Sequence, residues 1–304
     1  MSDEIDCKIT APGKSYQPFI APSSQNESDR RVKVDVSVDI VNILNILEIK
    51  SIIQVRFFLY LSWHDPRLVF FNLKSDSGLN VLSKEEREGL WLPKLVFSNT
   101  ADMQSTLVDD NAVLSVQRDG QYQVQDITEA ENKYLYDGKD NKLVLSRFYN
   151  IDFLCNYRMN WFPFDIQECQ MVIGIKGKGK ELINLAIEKL KYLGEDSVNQ
   201  YVIRTSELVK MEETNQIKVV IKMDRNLLTI VLTTIVPTVL LNMITYSTTF
   251  FKDSHFEAAV AVNLTVMLVL ATLFISVSYN NHCTRIFMHF NHTGEFQPAC
   301  YLIH

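Results

Sequence analysis

The chain has 304 residues, enough for one sizeable domain and a smaller module. Its formal net charge of -6 speaks against a nucleic-acid partner, which calls for a basic face. Hydrophobic residues make up 47%, an ordinary globular share, but the long apolar runs are confined to the last third of the chain.

Residues 1–30 are polar, contain Pro12, Gly13, Pro18 and Pro22, and read as an extended N-terminal arm. From Arg31 the pattern changes. Val32, Val34, Val36, Val38 and Ile40 alternate with Lys33, Asp35, Ser37 and Asp39, the period of a strand with one buried face. Ile53, Val55, Phe57, Leu59, Leu61 and Trp63 define a second such strand. Ser83 followed by Lys-Glu-Glu-Arg-Glu reads as one capped helical turn. Further β-rich runs are expected at 91–97, 112–117, 122–127, 143–149, 169–175, 201–209 and 217–223. So many strands at this spacing predict a β-sandwich over residues 31–224.

Cys155 and Cys169 bracket thirteen residues centred on Phe162-Pro163-Phe164-Asp165. A disulfide there would close a loop of about 15 residues, worth roughly 3 kcal/mol in the chain-entropy model, and would persist only in an oxidising compartment. The apolar stretch Trp161–Phe164 is unusual for a surface loop and fits one resting on an apolar support. Of five cysteines, at least one is unpaired if these two bond; Cys7, Cys283 and Cys300 have no zinc-site spacing.

After Arg225 two apolar runs follow, at about 226–251 and 256–279, separated by a short polar turn. Each is long enough to cross a bilayer. Buried core helices are the alternative, but these would be unusually long and uncharged. Along the second run, Ala261, Thr265, Leu268, Thr272, Ile275 with Ser276, and Tyr279 recur at helical spacing and form one stripe. On a lone helix such a stripe serves helix packing. Residues 280–304 form a polar tail, whose His282, Cys283, His289 and His292 read as chance composition sooner than as a metal site.

The Cys155–Cys169 segment resembles the signature loop of the Cys-loop receptors, the pentameric ligand-gated ion channels. Further residues match in order: Trp63-His-Asp65-Pro-Arg67-Leu68, Trp91-Leu-Pro93 through Asn99, Arg225 just before the first apolar run, and Pro237 within it. Lys94 stands where the family carries Asp. The resemblance covers about Val32 to Tyr279. It implies a mainly β extracellular sandwich followed by α-helical transmembrane segments, in a plasma-membrane protein with its N-terminal domain outside the cell. The implied partners are the lipid bilayer, four further subunits in a homo- or hetero-pentamer, permeant cations and an unidentified small extracellular ligand or proton. No cofactor and no catalysis are expected, since no nucleophile elbow, phosphate loop or catalytic metal spacing is present.

Carried over residue by residue, the resemblance makes the 261–279 stripe pore-lining, with Leu268 as a dewetting gate and Glu257 as a ring of carboxylates that selects cations. The plainer reading of Glu257 is an acid that complements a helix N-terminus, and both readings can hold. Phe162, Pro163, Phe164 and Asp165 are expected at a gating interface, with Asp165 paired to Arg225 and with Glu48 or Lys50 as the other contact. Asn263 lies off the stripe and needs a partner on a neighbouring helix.

Amine-binding members of that family enclose the ligand cation in aromatic rings. Here Phe58 fits the complementary-face aromatic, but Ser98, Ile175 and Lys176 stand where further aromatics are usual. The capping hairpin falls near Met211–Gln216, with Glu212 and Glu213 and no adjacent cysteine pair. A choline-type ligand is therefore not expected. Lys176-Gly-Lys-Gly-Lys180 reads as a solvated loop before an anion site. Asn26 and Asn291 begin glycosylation sequons. Residues 1–6 carry no secretory signal, so the start is expected to be processed or incomplete. The family has four membrane helices and two runs are present, so a truncated subunit that assembles with and silences full-length partners is the competing expectation.

Overall fold

The computed structural model describes residues 9–10, 16–22, 31–100, 104–105, 111–121, 123–125, 133–159, 161–175, 181–252 and 255–280. Asn26, Asn291 and Lys176 lie outside these residues, as does the tail beyond Asn280.

The first long strand, β2 (Val32–Leu47), buries the alternating face expected of it, Val32 to Ile40. Two bulges, after Ile40 and after Ile43, then turn the strand so that Ile43 and Ile46 face inward. It pairs antiparallel with β3 (Ile52–Trp63), whose inner face is Ile53 to Trp63 at every second residue. A five-stranded sheet forms in the order β12 (Ile183–Tyr192), β2, β3, β10 (Lys142–Leu154), β7 (Val113–Gln117).

Facing it is a six-stranded sheet, β13 (Ser197–Val198), β14 (Tyr201–Met211), β15 (Gln216–Arg225), β11 (Ile166–Ile175), β5 (Leu95–Phe97) and β6 (Gln104–Ser105). The inner faces of both sheets form one hydrophobic core. Phe97 of the second sheet meets Phe57 and Phe153 of the first edge to face at 5.8 and 6.0 Å, which joins the layers at their centre. This is the expected β-sandwich. A small sheet of β1 (Ile9–Thr10), β4 (Val69–Phe71), β9 (Lys133–Asp137) and β8 (Gln123–Gln125) lies beside it.

The expected strand at 91–97 begins only at Leu95. Pro93 offers no N–H to a ladder, and the Trp91 N–H is donated to the Tyr16 hydroxyl at 3.0 Å. The strand expected at 143–149 continues to Leu154, with Ile151 and Phe153 still in the core. Ser83 caps α1 (Lys84–Glu88) through a reciprocal bond with Glu86.

Two long apolar helices follow the sandwich, Leu227–Thr248 and Phe256–Asn280, each long and apolar enough to cross a membrane. A π-helical segment, Val231–Ile235, interrupts the first immediately before Pro237, whose missing N–H cannot extend the regular ladder. This helix ends three residues sooner than Phe251, and Thr249, Phe250 and Phe251 donate their N–H groups in tight turns.

Candidate functional site

The Cys155–Cys169 disulfide is formed, with Cα atoms 5.1 Å apart and both residues in the core. It ties the end of β10 to β11 and sets the base of the loop between them. Gln167 braces the loop from within. Its side chain accepts from the Arg158 N–H at 2.8 Å and donates to the Arg158 carbonyl at 2.9 Å and to Asp165 Oδ2 at 2.5 Å. The Phe162–Pro163 peptide bond is cis. Phe162 turns inward, whereas Trp161 and Phe164 stand exposed.

Asp165, the last residue before β11, meets Arg225, the last residue of β15. Arg225 Nε donates to Oδ1 at 2.8 Å and Nη2 to Oδ2 at 3.0 Å, a two-pronged pairing that a guanidinium makes and an ammonium cannot. Arg225 Nη1 donates to Glu48 Oε1 at 3.0 Å. Glu48 opens a 3-10 turn, Glu48–Lys50, between β2 and β3. The same carboxylate oxygen accepts from the Tyr201 hydroxyl at 2.7 Å and from Gln200 at 2.8 Å. The guanidinium lies between the rings of Phe162 and Tyr201, 4.9 and 4.7 Å from their centroids. Arg225, Asp165 and Glu48 side chains are 0, 1 and 8% exposed.

Such burial penalises charge, and here the geometry offsets it. Burial alone would raise the Asp165 carboxyl, but hydrogen bonds from Arg225 and Gln167 hold it below its ordinary value. Burial would likewise lower Arg225, yet Asp165 and Glu48 raise it. The Tyr201 hydroxyl is raised by burial and by Glu48. One cluster thus joins the Cys loop, the β2–β3 turn and the residue that precedes the first long helix by two positions. The structure brings Glu48, Phe162, Asp165 and Arg225 together; Lys50 stands exposed outside these bonds.

The other family-motif residues hold the sandwich together. Asp65 accepts two bonds from the Arg67 guanidinium, at 2.8 and 2.6 Å, one from the Arg67 N–H at 3.1 Å and one from the Tyr16 hydroxyl at 3.2 Å. Burial and the neighbouring Asp65 push the Tyr16 phenol up to about 12. Asn99 accepts from the Val172 N–H at 2.8 Å and donates to the Leu154 carbonyl at 3.3 Å, linking the turn after β5 to both flanks of the Cys loop.

At the opposite region, β14 and β15 form the expected hairpin, with Met211 paired to Gln216. Glu212 and Glu213 are exposed at its tip, Glu212 paired to Lys210 at 3.1 Å. The signal missed in the sequence is Asn215. It is buried, its φ is 49°, its Oδ1 accepts from the Leu185 N–H at 3.0 Å and its Nδ2 donates to the Ile183 carbonyl at 2.7 Å. The hairpin is clipped to β12. Ser98 and the Gln216 side chain both lie close to Gly174, where an added Cβ would meet them at 3.4 and 3.2 Å. Phe58 lies on the outer face of β3, opposite Trp63, beside Phe148 and Tyr60 at 5.1 and 6.1 Å.

In the second long helix Val266 is buried against the first, and Asn263 accepts from Thr248 across the pair at 3.3 Å. Glu257, Ala261, Thr265, Leu268, Thr272 and Ile275 all fall on the exposed side. Ser276 and Tyr279 continue the same helical register, but their side chains are outside the described residues.

A β-sandwich stapled by a disulfide loop, with that loop locked to the entry of an apolar helix pair, defines a receptor domain joined to candidate membrane spans. The family model described as "Neurotransmitter-gated ion-channel ligand binding domain" matches residues 9–242. The chain belongs to this family. It is 23% identical over 287 residues to the acetylcholine receptor subunit beta-type acr-2 of Caenorhabditis elegans, covering 91% of this chain and 45% of that protein. It is 22% identical over 257 residues to a gamma-aminobutyric acid receptor subunit beta-like protein of Drosophila melanogaster, covering 79% and 48%. A stretch of 174 residues is 28% identical to the neuronal acetylcholine receptor subunit alpha-3 of Carassius auratus, covering 57% and 29%. The chain thus spans about half the length, or less, of these relatives.

Proposed function

We propose that the chain acts as a subunit of a ligand-gated ion channel, with the sandwich outside the plasma membrane and the second long helix lining a cation path in a homo- or hetero-pentamer. The observation that carries this reading is the Asp165–Arg225–Glu48 cluster. It makes the Cys loop and the β2–β3 turn move as one body with the chain entering the first helix, so a displacement of the sandwich reaches the membrane. Phe162, Pro163 and Phe164 belong to this interface.

The exposed stripe of the second helix supports the conduction part. Thr265 donates its hydroxyl to the Ala261 carbonyl at 2.8 Å and Thr272 to the Val269 carbonyl at 2.8 Å. Both hydroxyls therefore present oxygen lone pairs outward, which suits hydrated cations. Leu268 supplies an apolar ring between them, and Glu257 in the first turn a ring of carboxylates.

The ligand is a small extracellular molecule or a proton, and Phe58, Ser98, Glu212 and Glu213 line the candidate ligand faces, with Lys176 assigned to them from the sequence. Relatives named for acetylcholine and for gamma-aminobutyric acid receptors do not choose between ligands. A second reading is a non-conducting subunit that acts as a binding or dominant-negative assembly partner, a role that needs the family's sandwich and the helix pair but no cation path.

Recording from cells that express the chain, alone and with a full-length relative, across small agonists and pH, tests both. The channel reading expects a current whose reversal potential follows sodium and whose cation preference weakens in Glu257→Ala. Silence of a surface-expressed chain that lowers the relative's current supports the second reading; silence with no such effect overturns both.

A further inference from the structure

We infer that Met159 is an oxidation site, a thioether whose conversion to the sulfoxide by a hydroperoxide loosens the pairing of Arg225 with Asp165. Its sulfur lies inside the charged cluster. Arg225 Nη2 donates to Met159 Sδ at 3.3 Å, and Gln167 Nε2 approaches the same sulfur at 3.8 Å. Both nitrogens face more acceptors than they have hydrogens. Nη2 carries two N–H groups and also faces Asp165 Oδ2 at 3.0 Å and the Tyr201 hydroxyl at 2.5 Å. Gln167 Nε2, likewise with two, also faces the Arg158 carbonyl at 2.9 Å and Asp165 Oδ2 at 2.5 Å. A thioether is a weak acceptor, so at present the carboxylate prevails.

Oxidation changes that balance. The peroxide O–O bond breaks, one oxygen bonds to a sulfur lone pair and the other leaves as water; sulfur loses two electrons and the peroxide gains them. The product is polar, with an S–O oxygen set where the Arg225 and Gln167 donors converge. An N–H that turns to this oxygen is withdrawn from Asp165 or Tyr201. Access favours this methionine over its neighbours in the sandwich. Met159 is half-buried in the loop, whereas Met171 and Met223 are fully buried in the core. The Cys155–Cys169 disulfide places the same loop in an oxidising compartment. Any bearing on gating rests on the proposed channel function, but the modification and the loosening are read without current.

The full chain, purified in detergent, is treated with graded hydrogen peroxide and mapped by mass. Met159 is expected to gain one oxygen several-fold faster than Met171 and Met223. The unfolding midpoint should then fall by about 2–4 °C and return after treatment with methionine sulfoxide reductase. In Met159→Leu, which keeps every other methionine, peroxide should leave the midpoint in place. Mapping and reversal are both read on the wild type, so they decide the matter without the variant. Oxidation of Met159 no faster than of the two buried methionines would overturn the inference. So would a wild-type midpoint indifferent to its oxidation, or an equal fall in Met159→Leu. A silent chain that passes these tests loses the channel reading and keeps the oxidation site; a conducting chain that fails them does the reverse.

Discussion

Arg225 and Asp165 stand sixty residues apart in sequence and share two parallel hydrogen bonds at 2.8 and 3.0 Å in a site closed to solvent. With Glu48 on the other side of the guanidinium, two separate turns of chain meet on one cation at the end of β15, where the sandwich gives way to helix.

Breaking a buried pair from one side leaves an uncompensated charge. Arg225→Gln and Asp165→Asn are each expected to destabilise the sandwich by about 3–5 kcal/mol. Arg225→Lys is expected to recover little, because a point charge cannot serve both carboxylates and the Tyr201 hydroxyl. Tyr201→Phe, which removes one donor to Glu48, should lose about 1–3 kcal/mol. Thermal unfolding of purified variants and their surface yield measure these effects; wild-type stability in Arg225→Lys would contradict the two-pronged role.

The pH dependence has a fixed sign. Asp165 titrates below its ordinary value in the fold, so its contribution is complete above the unfolded aspartate pKa of roughly 4 and is lost as pH falls through the lower folded one. The stability gap between wild type and Asp165→Asn should therefore be constant near neutral pH and close below about pH 4. A gap that closes on raising the pH would reverse the assignment.

Replacing both Cys155 and Cys169 with serine is expected to cost about 3 kcal/mol, and non-reducing peptide mapping of the wild type should recover the two in one cross-linked fragment. Free thiols at both positions would contradict it.

Asn215→Ala removes the two bonds that clip the hairpin to β12 and places alanine at a φ of 49°. Asn215→Gly keeps the backbone comfortable but loses the same bonds, so it isolates their effect. In both, hydrogen exchange at 183–185 and 211–216 should quicken while β2 and β3 stay protected. Unchanged exchange in the glycine variant would assign the closed hairpin to other contacts.

The alternation of β2 and β3, the capped turn at Ser83 and the Cys-loop pair were legible because each rests on local spacing or on a motif. Glu48, Asp165 and Arg225 were legible only through resemblance, since a lone charge in a strand or turn carries no sign of burial. Gln167, Gln200 and Tyr201 were not seen at all: each is an ordinary strand or turn residue until the fold brings the cluster around it. β12 was missed because its inward alternation stops at Leu185, and from Ile187 to Tyr192 its side chains are partly or fully exposed. Asn215 read as a turn residue, which it is; its grip on a distant strand edge is a tertiary fact.

Whether the stripe of the second helix faces a water-filled axis is the question on which the channel reading turns. Single cysteines at Thr265, Leu268 and Val266, in a chain with Cys7, Cys283 and Cys300 replaced by serine, would be treated in membranes with a charged, membrane-impermeant thiol reagent and with a lipid-soluble maleimide, and read by mass. Modification of the first two by the charged reagent, with Val266→Cys spared against the first helix, is the expected result. Labelling at Thr265 and Leu268 by the lipid-soluble reagent alone would turn the stripe toward lipid and contradict it.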